Sequence, residues 1–195
     1  SSLFWDTYSL NEHQNGLKIQ NIFPKKEHIW KQIWSNSGTN LFWHTEFANI
    51  EYPCKYILLY CIKWDPNVST IISKPNINSL QSNHLQLLQN DNFVIFPDES
   101  MNCQAQETKK SILKLNLNGE IDTIIFDPLY TLYQNDQDKE ALDALQQNII
   151  DQSQELILNE GDLLIFNNHI TVHSRSYLSG RFDGTDRWLQ RICTY

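Results

Sequence analysis

The longest uninterrupted apolar run in the chain is seven residues, Tyr56–Ile62 of YILLYCIK, closed off by Pro53 on one side and Asp65-Pro66-Asn67 on the other. A run that short, rich in aromatic and branched residues and bounded by turn formers, predicts a buried strand. The same punctuation recurs. Val68–Ile72 and Phe93–Phe96 are short apolar segments, and Ser111–Leu117 and Ile121–Phe126 flank Asn118-Gly119, a hairpin signal. Glu155–Leu158, a turn at Asn159–Asp162 and Leu163–Phe166 read as strand, turn, strand, followed by Ile170–His173 and Trp188–Tyr195. One clear helix interrupts the series, Asp136–Ile150, with Ala141, Leu142, Leu145 and Ile149 at helical spacing. Shorter helical turns are expected at Leu80–Leu88 and at Glu27–Trp34, where Ile29/Ile33 and Trp30/Trp34 are four apart. The pattern predicts a mainly β fold with α additions, best fitted by a double-stranded β-helix (jelly roll) core, with other α+β folds left open. At 195 residues the chain suits a single domain, 1–195, and the polar stretch within 73–110 is the expected mobile lid.

Charge and cysteine usage narrow the partners. The formal charge is −8 with no long basic run, which argues against nucleic acid or an anionic membrane surface as the main partner while allowing a local basic pocket for a small anion. Cys54, Cys61, Cys103 and Cys193 form no CxxC pair, so reduced, mostly buried thiols in a cytoplasmic protein are expected. No apolar stretch approaches the ~20 residues of a membrane span. The amino end, SSLFWDTYSL, has neither the charged nor the apolar region of a signal peptide and does not begin with Met.

The chemistry concentrates in two stretches, Trp43–Glu46 and Gly161–Tyr195. A His-x-Glu pair is weak on its own: six His and 23 acids in 195 residues make about 0.7 such pairs by chance. On a strand, however, His44 and Glu46 share a face, with Thr45 pointing away. A second histidine on a distant strand would complete two imidazoles and one carboxylate, the facial triad of non-haem Fe(II) oxygenases. His169 and His173 are both available; His173, after the strand-like ITV and ahead of a returning strand, is preferred. Arg187 and Arg191 are four apart near the carboxyl end and share a face if that end is a strand. A core-facing guanidinium needs an anion, either an Asp or Glu of the protein or a dicarboxylate co-substrate that its planar fork can grip.

FWHTE at 42–46, GDLLIFNN at 161–168, VHSR at 172–175 and FDGTDRWLQR at 182–191 together resemble the clavaminate synthase-like branch of the Fe(II)/2-oxoglutarate-dependent oxygenases, the TauD-like group that includes asparagine and arginine hydroxylases. FDPLY at 126–130 and EALDAL at 140–145 also resemble that family's mid-chain segment, so the likeness spans residues 40–195 and is weakest between 73 and 110. The resemblance implies iron ligands at His44, Glu46 and His173, with 2-oxoglutarate held by Arg187 through its distal carboxylate and helped by Thr70. It implies contact with the substrate carboxylate at Arg191, and Asn168 matches a family asparagine. Position 169 departs from the pattern, being His where relatives often carry Arg, and the chain is short for the family.

The implied reaction uses Fe(II), 2-oxoglutarate and O2, with succinate and CO2 as co-products, to hydroxylate an unactivated carbon of a free L-amino acid or a small or carrier-tethered derivative. The carboxylate at Glu46 points to hydroxylation or desaturation, since family halogenases carry a small residue there. The competing expectation is a metal- or ligand-binding jelly roll without turnover. A metal-dependent hydrolase explains neither arginine.

Overall fold

The computed structural model describes residues 18–29, 40–97 and 108–195. Along the chain these form β1 (Gln20–Ile22), β2 (Leu41–His44), β3 (Tyr56–Lys63), β4 (Thr70–Ser73), α1 (Ser82–Leu88), β5 (Phe93–Ile95), β6 (Leu113–Leu115), β7 (Ile121–Ile124), β8 (Thr131–Tyr133), α2 (Asp136–Asp151), β9 (Ser153–Leu156), β10 (Leu163–Asn167), β11 (Val172–Arg175) and β12 (Trp188–Thr194). The fold is mainly β. One four-stranded sheet has the order β1-β12-β3-β10 and a second the order β2-β11-β4-β9, with two-stranded ribbons β5-β8 and β6-β7 beside them. Every pairing is antiparallel.

β3 falls on the bounds that its apolar run predicts. Its alternate residues Ile57, Leu59 and Cys61 are buried, while Tyr60 is exposed. They pack with Phe47, Phe166, Leu189 and Cys193 into the core of the first sheet. The predicted long helix is α2. Asn135 caps it by accepting from the Asp138 N–H, and Asp136 and Asp138 lie in the first turn, where the helix dipole favours negative charge. Ala141, Leu142, Leu145 and Ile149 form its buried stripe, in one cluster with Ile77, Leu88, Phe93, Ile95 and Phe126. Full burial of each large apolar side chain contributes ~1.5–3 kcal/mol, so α2 is held by its inner face.

One expectation changes in detail, and two stretches show features that the sequence pattern does not carry. β9 and β10 do not pair with each other: β9 runs beside β4 in the second sheet and β10 beside β3 in the first, so the turn at Asn159–Asp162 carries the chain between sheets. The helix expected at Glu27–Trp34 is, in its described part, a 3-10 turn at Lys26–His28; residues 30–34 lie outside the described residues. Within 73–110, Ile77, Leu88, Phe93 and Ile95 are buried, and residues 98–107 lie outside the described residues. No helix among the described residues is long and apolar enough to cross a membrane.

Candidate active site

Strands β2 and β11 are neighbours, and their register sets His173 directly opposite His44. The two imidazole centroids are 4.2 Å apart. Glu46 reaches them by a route that strand parity does not anticipate. β2 ends at His44, and residues 46–49 form a turn rather than continuing the strand. Thr45 makes the break: its N–H donates to the Phe126 carbonyl at 2.7 Å, and its Oγ1 accepts from the Phe126 N–H at 2.9 Å. Phe47 then adopts a left-handed φ of 59°, uncommon for a bulky residue. The outcome is the expected trio. One ligand atom each from His44, Glu46 and His173 lies within 4.8 Å of the others.

The donor set suits a metal ion. His44 Nδ1 is 2.8 Å from the Phe42 carbonyl, an arrangement that places the proton on Nδ1 and leaves the Nε2 lone pair for a ligand. His173 is only 7 % exposed. Burial first, then the positive potential of His44 and Arg191, holds its pKa well below the ordinary value, so the imidazole is neutral and able to ligate. His173 Nε2 lies 3.9 Å from Glu46 Oε2. His169, the alternative ligand, is turned elsewhere, its Nε2 3.1 Å from the Pro53 carbonyl. Cys54 is near the Glu46 turn, but hydrogen bonding with Cys193 and burial push its thiol far up, so it offers no thiolate.

A partly open pocket between the two sheets is lined by His44, His173, Thr70, Arg175, Arg187 and Arg191 among others. Three guanidiniums in one pocket of an acidic protein make a local positive field suited to a small anion. The two arginines expected to share a strand face both line this pocket and are buried, but Arg187 lies just ahead of β12, which begins at Trp188, so only Arg191 is on the strand itself. Their partners differ. Arg187 is 4 % exposed and donates through Nη2 to Thr70 Oγ1 on the opposite sheet. Among the described residues no carboxylate lies within ion-pair distance of it. Burial pulls its pKa down to about 10, which still leaves it charged at neutral pH. Arg191 is satisfied within the protein. Its Nη1 donates to Glu46 Oε2, and its Nε donates to Gln20 Oε1 at 2.8 Å.

Three contributors to this site carry no recognisable mark in the sequence. Gln20 braces Arg191 from 171 residues away. Arg175 lines the pocket, and burial together with nearby Arg187 pulls it down to about 10. Lys110 directs Nζ at the carbonyls of Ala48, Asn49 and Ile50, each at 3.2 Å. VHSR contains Arg175, but only the pairing of β11 with β4 reveals that its side chain belongs to the pocket.

Residues 93–193 match the family model described as taurine catabolism dioxygenase TauD, TfdA family. An enduracididine beta-hydroxylase of Streptomyces hygroscopicus is 24 % identical over 217 residues, covering 98 % of this chain and 64 % of the relative. An L-asparagine oxygenase of Streptomyces coelicolor is 27 % identical over 183 residues, covering 91 % of this chain and 54 % of the relative. Among solved structures, the non-heme iron oxygenase OrfP in complex with Fe and alpha-ketoglutaric acid superposes with a TM-score of 0.88 at 28 % identity, covering 98 % of this chain and 61 % of that one. The chain therefore spans little more than half to under two thirds of the length of the proteins it resembles.

Proposed function

Since the chain belongs to the TauD/TfdA dioxygenase family, we propose that it is a non-haem Fe(II)/2-oxoglutarate-dependent dioxygenase that hydroxylates an unactivated carbon of a free L-amino acid or a small amino-acid derivative. The observation that carries this reading is the pairing of two features: a His-Glu-His trio, with His44 half-buried and Glu46 and His173 buried, whose two imidazoles line a pocket, and in the same pocket a buried arginine, Arg187, whose described partner is the hydroxyl of Thr70. A metal cluster alone suits many proteins. A set of metal ligands next to a guanidinium that has no carboxylate within ion-pair distance among the described residues calls for a ligand with a metal-binding end and an anionic end, which describes 2-oxoglutarate.

His44, Glu46 and His173 are the proposed ligands, two neutral imidazoles and one carboxylate with no thiolate, a set that suits Fe(II) and leaves positions for a co-substrate. Bound iron would supply the oxidative chemistry that couples O2 and 2-oxoglutarate to substrate hydroxylation, with succinate and CO2 released. The chain's own residues bind and orient. Arg187 and Thr70 take the distal carboxylate and so fix the other end of the molecule toward the ligand trio. The neutral state of His173 keeps its lone pair in place without a competing proton. Substrate contact at Arg191 is proposed as an exchange, in which the carboxylate of an amino acid takes over donors now given to Gln20. Free amino-acid substrates are proposed because relatives named as an asparagine oxygenase and an enduracididine hydroxylase span nearly the whole of this chain; a carrier-tethered amino acid is the variation.

The architecture belongs to the same proposal. The two facing four-stranded sheets are the halves of a double-stranded β-helix, or jelly roll, within one oxygenase domain over 1–195, with a lid within 73–110. The three described cysteines are free thiols, which fits a cytoplasmic setting. The test is succinate formation from 2-oxoglutarate with Fe(II) and ascorbate, across the twenty amino acids singly. Stimulation by one or a few supports the proposal and names the side chain to fit. Absence of binding of both Fe(II) and 2-oxoglutarate would overturn it.

A further inference from the structure

We infer that Asn168 is a positioning residue for the metal ligand Glu46, fixing the turn that carries it through a side-chain clamp on the Glu46 backbone. The inference rests on the reading of Glu46 as a ligand. Asn168 is 1 % exposed and sits just beyond β10, on a different sheet from β2. Its Oδ1 accepts from the Glu46 N–H at 2.8 Å, and its Nδ2 donates to the Glu46 carbonyl at 3.1 Å. The same Nδ2 also donates to the Cys54 carbonyl at 2.9 Å. A side-chain amide thus takes both hydrogen bonds that a neighbouring strand would have given Glu46, at the point where the chain has left its strand.

Two neighbouring clamps show what the arrangement is for. Thr45 is tied to the Phe126 backbone on one side of Glu46, and on the other side Lys110 Nζ gathers the carbonyls of Ala48, Asn49 and Ile50. Between them lies Phe47 with its left-handed φ of 59°. A bulky residue holds such a conformation only where its surroundings over-determine it. Three clamps from three parts of the chain do so here. Of the three, Asn168 alone grips Glu46 itself. The carboxylate end is held separately, by Arg191. Glu46 is therefore fixed at both ends before any ligand binds, and groups that orient metal ligands in this way are tuned as closely as the ligands themselves.

The protein contains its own control. Asn148, on α2, makes the same kind of clamp on Asn76, accepting from its N–H at 2.8 Å and donating to its carbonyl at 3.1 Å, and it belongs to no part of the pocket. Co(II) titration followed by visible absorption reads the ligand trio without turnover. Asn168→Ala should weaken Co(II) binding by about 10- to 100-fold and alter its spectrum. Asn168→Ser, polar but too short to reach both Glu46 groups, should weaken it in the same direction and serves if the alanine variant does not fold. Asn148→Ala should lose stability in urea yet bind Co(II) as the wild type does. A folded Asn168 variant with wild-type Co(II) affinity and spectrum would overturn the inference, as would an equal loss of affinity in Asn148→Ala. A wild-type chain that binds no Co(II) would instead refute the metal site on which it rests.

Discussion

Arg187 and Arg191 share a pocket, a residue type and near-complete burial, yet they face different demands. Arg191 has Glu46 and Gln20, so its charge is neutralised within the protein. Arg187 has Thr70, a neutral hydroxyl. Burying a charge without an opposite charge is costly, and a folded protein retains such a residue where a ligand relieves the cost. Charge-assisted hydrogen bonds contribute ~1.5–3 kcal/mol each. Arg187→Ala should therefore raise the 2-oxoglutarate concentration needed for half-maximal binding by roughly 10- to 150-fold while leaving Co(II) affinity unchanged, as measured by paired titrations with each ligand. An unchanged requirement would make Arg187 a structural residue. The histidines separate as cleanly. His173→Ala should abolish metal binding, and His169→Ala should leave it intact, because His169 Nε2 is directed at the Pro53 carbonyl; calorimetric titration of both variants distinguishes them. This much of the site was legible from the chain. His44, Glu46 and His173 could be picked out, but the reason offered for Glu46, the alternation of a strand, does not hold. Thr45 leaves the strand, and the clamp from Asn168 lies 122 residues away, where no local pattern reveals it.

At the scale of elements, sequence patterning locates those whose own residues decide their form. β3 is long, apolar and bounded by prolines, and α2 has a cap, an acidic first turn and a complete inner stripe. β1 and β8 are three residues each, and their existence depends on partners far along the chain: β1 exists because β12 passes beside it. The crossing between β9 and β10 was hidden for the same reason. The loop before β12 shows how such distant ties serve the site. Asp65, just beyond β3, accepts from the Asn67 N–H at 3.0 Å and from Arg181 Nη2 at 2.6 Å. Asp186 accepts from the Arg181 and Phe182 N–H groups at 2.8 and 2.7 Å, closing the loop directly ahead of Arg187. Burial pushes the Asp65 carboxyl up, but the Asn67 N–H and Arg181 outweigh it and hold it below the ordinary carboxylate value. A lowered folded-state pKa means that the ionised form stabilises the fold at neutral pH, and that this contribution is lost as pH falls through the lowered value. Asp65→Asn should lower stability at neutral pH and flatten the acid arm of the stability curve between about pH 5 and pH 2, as read from urea midpoints across that range. A variant whose curve parallels the wild type would show that the Asp65–Arg181 tie does not anchor the loop.

Taken as a whole, the molecule places its chemistry on the seam between its two principal sheets. His44, His173 and Thr70 come from β2, β11 and β4 of one sheet; Arg191 belongs to the middle of β12 in the other, and Arg187 directly precedes that strand. Direct polar ties that bridge the seam include Arg187 to Thr70, Arg191 to Glu46 in the turn after β2, and Asn168 to the Glu46 backbone. A ligand that engages the histidines at one end and Arg187 at the other would therefore act as a cross-link between the sheets and stabilise the fold by mass action. At a hundredfold excess over its dissociation constant a ligand specific to the folded state contributes ~2.7 kcal/mol. A domain of this size shifts its midpoint by ~2–4 °C per kcal/mol, so saturating 2-oxoglutarate added to the Co(II)-loaded protein should raise Tm by roughly 5–10 °C. The order of addition carries the information. If the metal supplies one end of the bridge, 2-oxoglutarate without Co(II) should shift Tm far less than the two together, and the excess is the coupling between the halves of the site. In Arg187→Ala the shift with Co(II) alone should persist while the increment from 2-oxoglutarate largely disappears. An increment that survives the loss of Arg187 would place the dicarboxylate elsewhere in the pocket, with the cationic pair Arg175 and Arg191 as the remaining holders.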